Sequence, residues 1–304
     1  MSESKNNSAI AGGLLLTTIL WGGNNAGTKW LVGTWPPIFT GGTRFLFAGF
    51  ILLAVLRFTN LLGQFESLTR GQYRSLWLRG GLSLAAYVAV FCWAFRLAPA
   101  SHVALYLGAS PIWALLWEER PKRNWSSARR YGAALLALSG VIVLFWPVLK
   151  SGHSSVTGEL LGLLASFLWA NFSHQSRILA ANVNGLEVAA NSMWMAGVTL
   201  APFILWEASR SFPVDAPHLG VQTFCILLGS VVPYAIWNSS LRHWQTSRVL
   251  LFNNLIPLTT TVWVHFTLGE PITQTFCLAM FLIVAGVLLG QVDWSKVFKL
   301  PESF

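Results

Sequence analysis

The chain has 304 residues, of which 54% are hydrophobic, 13% aromatic and only 10% charged, against roughly 25% charged in a soluble domain. Mean hydropathy is +0.55, which excludes a disordered chain, a nucleic-acid-binding domain and an ordinary cytosolic enzyme. The net charge of +9 is a topology signal once its residues are located, and the chain reads as a polytopic membrane protein.

A helix needs about 20 mainly apolar residues to cross a bilayer. Residues 1–9 are polar and form an N-terminal tail, and the apolar run that follows contains Asn24 and Asn25 with no small-residue cleavage site. That run is a first span and not a cleaved signal peptide. In chain order the spans are predicted at 10–30, 37–56, 75–95, 101–117, 128–147, 158–178, 187–206, 218–241, 247–268 and 273–292. The breaks between them carry turn chemistry: Trp35-Pro36-Pro37, Pro99, Pro121, Pro147 with Ser151-Gly152, Asn182 to Gly185, Pro213 to Pro217, and Glu270-Pro271. The shortest turn is Leu97 to Ala100, between the third and fourth spans. No segments alternate in polarity as barrel strands do, so the fold is an all-α bundle of ten transmembrane helices. Residues 148–157 read as a linker between two halves, and 293–304 as a C-terminal tail.

Basic residues set the orientation. With the N-terminus inside, cytoplasmic segments hold fifteen of the twenty Lys and Arg residues, and outer segments hold Lys29, Arg96, Lys150 and Arg210. The remaining one, Arg44, lies within a span. The asymmetry predicts cytoplasmic N- and C-termini and removes the nucleic-acid reading. Trp30, Trp35, Trp77, Trp117, Trp125, Trp146, Trp206, Trp244 and Trp294 fall near span ends, as in an aromatic belt. Cys92, Cys225 and Cys277 lie in apolar stretches without paired spacing and read as buried thiols.

The chain also repeats itself. At an offset of 146, Arg96 meets Arg242, Ser101 meets Ser247, Pro111 meets Pro257, Trp117 meets Trp263, and Gly140-Val141 meets Gly286-Val287. At an offset of 148, Trp21 meets Trp169 and Lys29 meets Arg177. Each half has five predicted spans. An odd number forces the second half to enter the membrane from the opposite side, which gives an inverted repeat, the architecture of secondary transporters.

Several stretches carry a family resemblance: Ile19-Leu20-Trp21-Gly22-Gly23, Pro37 to Arg44, Trp93 to Leu105 leading to Pro111, Trp169, and Pro257 to Glu270-Pro271 ending at Gly286-Val287. In order and spacing they resemble the drug/metabolite transporter superfamily, specifically its EamA-like ten-helix members. The resemblance implies two inverted five-helix EamA-type repeats, at 10–147 and 158–292, in a bacterial inner membrane. It also implies export of small organic metabolites, amino acids among them. The chain departs from the pattern in having Asn124 where the second half has Glu270, and no arginine in the second half matching Arg44.

Arg44 is the most informative side chain. Counting from Pro37, it lies roughly 10 Å below the membrane boundary, where an arginine must find a partner or a cavity. It reads either as an anchor for a substrate carboxylate, through bidentate guanidinium bonding, or as a structural arginine, bonded to helix-end carbonyls or snorkelling outward. Trp21 and Trp169 are equivalent by the repeat, with Asn24 and Asn25 following the first and Asn171, Ser173 and His174 following the second. They read as cavity lining or as interhelical packing. Tyr87, Tyr106, Tyr234, Trp237, Asn238, Asn253 and Asn254 are further candidates, and His174 and His265 are either proton-coupling groups or neutral hydrogen-bonding groups.

The expected binding set is therefore Trp21, Asn24, Asn25, Arg44, Tyr87, Trp169, Asn171, His174, Trp237 and Asn238. The expected function is a secondary transporter working by alternating access. The alternatives are a membrane-embedded enzyme, which would need convergent acid/base or metal groups, and a passive channel, which would need a continuous polar ring. Neither a phosphate-binding Gly-rich loop, a nucleophile elbow nor Cys/His metal spacing is present, so no catalytic residue, metal or cofactor is expected. The partners are a small-molecule substrate and the lipid bilayer, and ten helices can enclose a cavity as a monomer.

Overall fold

The computed structural model describes residues 2–59, 67–110, 113, 125–151, 156–243 and 251–291. Among them every regular element is helical. In chain order these are α1 (Ser2–Thr34), α2 (Pro37–Phe58), α3 (Arg70–Leu97), α4 (Ala100–Gly108), α5 (Trp125–Ser151), α6 (Val156–Leu179) and α7 (Gly185–Ala208). They are followed by α8 (Ala216–Ile226, Leu227–Val231 and Val232–His243 in unbroken succession), α9 (Ile256–Leu268) and α10 (Gln274–Gln291). Pro37–Phe58, Arg70–Leu97, Gly185–Ala208 and Ala216–Trp237 are long and apolar enough to cross a membrane by length and composition. The molecule is a multi-pass helical membrane protein.

Local chemistry sets the boundaries. Pro36, in extended backbone, and Pro37 at the first helical position start α2, where a missing N–H costs nothing. Pro99 likewise starts α4, one residue beyond the extended Ala98 that ends α3, so the short turn expected there is confirmed. Gly269, at φ 70°, ends α9 in the left-handed conformation that glycine adopts without a Cβ clash. Asp215 caps α8 by accepting from the His218 backbone N–H at 3.0 Å.

Two helices contain a π-turn: Leu76–Gly81 within α3 and Leu227–Val231 within α8. In the second, the Ser230 hydroxyl donates to the Cys225 carbonyl five residues back, at 3.0 Å. Such turns insert one extra residue and re-aim the side chains beyond it.

The principal packing pairs are α5 with α10, α2 with α7, α3 with α6, α3 with α7, α1 with α8, α1 with α9, and α4 with α6. Lipid is as apolar as a leucine side chain, so close backbone approach carries much of the cohesion between helices. The α5–α10 contact depends on it. A Cβ at Gly140 would stand 2.8 Å from the Ala279 carbonyl oxygen, and one at Gly286 2.6 Å from that of Ala133.

The largest buried cluster draws mainly on α2, α3 and α7, including Leu52, Leu84, Phe91, Phe95, Ala190 and Leu200, with further residues from α1, α4, α6 and α9. Cys92 and Cys225 are buried as expected, whereas Cys277 is exposed. It sits on the outward face of α10, with Leu278 and Phe281, where an apolar composition faces lipid instead of the core. Trp35 also departs from the expected belt: it is buried, and its Nε1 donates to the Pro213 carbonyl at 2.6 Å.

Candidate functional site

The site begins with one face of α1. Trp21, Asn24, Asn25 and Thr28 follow at helical spacings of three, four and seven residues, which keeps them on adjacent rows of the same surface. α2 supplies Arg44, two turns in from its start at Pro37. Arg44 is only 3% exposed. Its Nη1 donates to Asn24 Oδ1 at 2.9 Å and to Thr28 Oγ1 at 2.8 Å. Its Nε is buried and has no hydrogen-bond partner. The guanidinium lies 4.7 Å from the Phe45 ring centroid and 5.9 Å from that of Phe91, on α3. No described carboxylate stands within ion-pair distance of it.

A buried arginine held only by neutral acceptors keeps its full positive charge in a low-dielectric setting. An unused N–H there leaves an appreciable desolvation cost unrelieved, so the site is electrostatically prepared for an anion. The helix-end-carbonyl role open to Arg44 from sequence belongs to other cations. Lys29 Nζ donates to the carbonyls of Phe95 and Ala98, both at 2.7 Å, closing the C-terminal end of α3, and Arg96 donates to the Val32 carbonyl.

Aromatic rings extend from the arginine in one direction. Phe91 lies 5.0 Å from Tyr87, Tyr87 lies 5.1 Å from Trp169 on α6, and Trp169 lies 5.7 Å from Phe172. In a second ring group Trp21 packs edge-on against Tyr234 at 5.9 Å and tilted against Trp237 at 5.3 Å, both on α8. The two tryptophans matched at an offset of 148 therefore each rest on a tyrosine, and those tyrosines match at 147.

The remaining sequence candidates separate. Asn24 is the acceptor for Arg44. Asn25 turns to α9 and donates to Thr260 Oγ1 at 2.9 Å, and Asn171 bonds Ser83 on α3 at 3.3 Å, so both tie helices together. His174 is half-buried on α6. The side chains of Asn238 and Asn254 lie outside the described residues. His265 is exposed, and its Nδ1 bonds the Glu270 carbonyl at 2.9 Å.

Sequence reasoning missed Thr28 and Phe91 as Arg44 neighbours. Thr28 lies one helical turn beyond Asn24, and that spacing could have found it. It also missed a set of carboxylates at helix starts. Glu207 accepts from the Phe39 N–H of α2 at 2.6 Å. Glu270 accepts from Ala100 N, Ser101 N and Ser101 Oγ at 2.7, 3.1 and 2.8 Å, capping α4. Glu159, wholly buried at the start of α6, accepts from Tyr106 Oη at 2.7 Å and pairs with His102 Nδ1 at 2.8 Å. Among the described residues no group of three or more His, Cys, Asp or Glu side chains could hold a metal ion.

A bundle with a buried cation beside aromatic rings can bind a small molecule, and comparison with known proteins decides its kind. The family model described as "EamA-like transporter family" matches residues 9–146 and 156–290. The chain belongs to the EamA-like transporter family. Members of this family are membrane transporters of small molecules and not enzymes.

Among relatives, a Salmonella typhimurium protein named "Probable amino-acid metabolite efflux pump" is 24% identical over 290 residues, covering 91% of this chain and 92% of that one. The Escherichia coli protein of the same name is 23% identical, covering 94% and 96%. A Streptantibioticus cattleyicolor protein named "Probable terminal-alkyne amino-acid exporter" is 24% identical over 70% of this chain and 71% of its own. A solved crystal structure shares the fold with a TM-score of 0.62 at 21% identity, covering 94% of this chain and 98% of that one.

Proposed function

We propose that this EamA-like transporter exports small carboxylate-bearing metabolites, amino acids among them, by alternating access of two inverted five-helix repeats. The observation that carries the substrate class is Arg44: a buried guanidinium with neutral acceptors on Nη1 and a vacant Nε donor. A carboxylate satisfies that donor and neutralises the charge, while Trp169, Tyr87 and Phe91 offer a wall for an apolar body. The names of the relatives, efflux pumps and exporters of amino-acid metabolites, agree with this chemistry and supply the direction.

The repeat reading, with halves at 10–147 and 158–292, is supported by one family model matching two successive stretches. It is supported also by the packing pairs. Exchanging each helix for the one five places along turns α3–α6 into α8–α1 and α1–α9 into α6–α4, and leaves α2–α7 and α5–α10 unchanged. Ten apolar stretches support ten spans, the distribution of basic residues supports cytoplasmic termini, and the family resemblance supports the inner membrane; a monomer that binds no nucleic acid is the simplest assembly.

The test is counterflow of labelled amino acids in proteoliposomes with the parent, Arg44→Ala and Trp169→Ala. Saturable exchange abolished by Arg44→Ala in folded protein supports the carboxylate anchor. Exchange that survives Arg44→Ala but is lost in Trp169→Ala reduces Arg44 to a structural role. The absence of exchange for every amino acid removes that substrate class.

A further inference from the structure

We propose that His102 and Glu159 form the site at which a proton is bound and released during the transport cycle, which makes this chain a proton-coupled carrier. The inference rests on the transporter reading above but uses residues outside the Arg44 site. His102 and Tyr106 stand one turn apart on α4, so both reach the carboxylate at the start of α6: Nδ1 at 2.8 Å from Oε1 and the phenol oxygen at 2.7 Å from Oε2. The Glu159 side chain is 0% exposed and that of His102 19%. The carboxylate is thus sealed, while the imidazole is partly open at the surface of the bundle.

The pair exists in two charge states that differ by one proton. With neutral imidazole, Nδ1–H donates to the carboxylate and the interface holds one net negative charge. With imidazolium, the proton sits on Nε2 and the pair is neutral. A full unit of charge therefore changes within a buried contact, where its effect on helix packing is greatest. Imidazole is the side chain whose ordinary titration spans neutral pH.

The location makes that change mechanically useful. α4 belongs to the first half of the chain, and Glu159 to the second. The His102 ring also lies parallel to Phe276 of α10, with centroids 6.3 Å apart and an 8° angle between planes. One side chain on α4 is therefore held by two helices of the other half, across a contact that alternating access has to remake. The charged groups around it are Lys29 from α1, which interacts electrostatically with Glu159, Glu270 and Arg96, Arg96 from α3, and Glu270 after α9, fixed on the α4 start by its three bonds. α10 faces His102 with the apolar Phe276. Loss of the proton from His102 removes the positive charge beside the buried Glu159 carboxylate, which biases α4 towards a different seating.

Two measurements on the full chain test this. The first needs no substrate: ring-¹⁵N spectra of histidine-labelled protein in nanodiscs, titrated across neutral pH, with the His102 signal assigned by its loss in His102→Gln. The His102 ring signal is expected to respond to pH across this range, and that response to change in Glu159→Gln. A signal that stays unchanged across the range, or a response indifferent to Glu159→Gln, overturns the site whether or not any transport is found. The second compares counterflow with accumulation driven by an imposed pH gradient, using whichever amino acid exchanges. The ratio of gradient-driven to counterflow transport is expected to fall at least about tenfold in Glu159→Gln and His102→Gln, and to be kept in Tyr106→Phe, which preserves the ion pair. Wild-type counterflow on which the gradient has no effect overturns proton coupling and leaves the carrier reading intact. Absence of any exchange counts against the carrier reading, and the titration still decides the proton site.

Discussion

Gly229, in the π-turn of α8, stands against Asn24 of α1: a Cβ there would lie 2.8 Å from the Asn24 Cβ and 2.5 Å from its Oδ1. That oxygen is the acceptor holding Arg44. Gly229→Ala is therefore expected to displace the acceptor and loosen the guanidinium. Overpacking of this kind costs roughly 1–3 kcal/mol. The expected readout is a weaker substrate affinity in counterflow, out of proportion to the fall in melting temperature. A variant with unchanged affinity would detach the π-turn from the site.

Asn24→Ala acts on the same bond from the other side. It strips one of the two acceptors from a buried charged donor, and such bonds contribute about 1.5–3 kcal/mol. The variant should melt several degrees lower and bind a carboxylate substrate more weakly per folded molecule, because the guanidinium loses an acceptor that positions it. Thermal unfolding with and without substrate separates the two effects.

The pairs Trp169–Tyr87 and Trp21–Tyr234 are expected to be energetically alike if the halves are equivalent. Double-mutant cycles to Ala or Leu should return a coupling of about 0.5–1.5 kcal/mol for each. Coupling in one pair alone would break the equivalence.

Asp215 gives a pH dependence with a definite sign. The backbone N–H of His218, and then its imidazole, hold the Asp215 carboxyl below the ordinary carboxylate range. A group lowered in the folded state contributes stability that is present above its unfolded pKa and lost as pH falls through its folded value. The wild-type melting temperature should accordingly fall on acidification below about pH 4, and Asp215→Asn should flatten that limb while leaving neutral pH nearly unaffected. His218 also bonds Thr34 Oγ1 at 2.8 Å and stacks on Trp35, so the loss is expected to loosen the junction of α1 and α8.

Glu270→Ala removes three acceptor contacts from the start of α4. N-terminal caps contribute roughly 0.5–2 kcal/mol, and Glu270→Gln should retain part of this by keeping one amide oxygen. Faster hydrogen exchange confined to Ala100, Ser101 and their neighbours is the expected signature.

Arg44 and the two tryptophans were legible in the sequence because charge and bulk are anomalous in the middle of an apolar run, and the anomaly itself locates them. Glu159 and Glu207 were not, because they fall at span edges, where polar residues are ordinary and solvation is the default reading. Burial of Glu159 depends on α4 lying over the start of α6, a tertiary relation that periodicity does not encode. Cys277 and Trp35 failed for a related reason: in a bilayer protein apolar residues face both lipid and core, so composition does not separate inside from outside. Lys29 and Arg96 were read as topology markers, and they serve in addition as donors to helix-end carbonyls.

The packing of α1 on α8 and α9 has a consequence for biogenesis. Helix α1 leaves the ribosome well before its partners α8 and α9, so Arg44, Asn24 and Thr28 must satisfy one another in the membrane while those later helices are still being made. The early pairing of α1 with α2 through that polar contact would keep an arginine from stranding in lipid during this interval, and a truncated nascent chain ending before α8 should already show it.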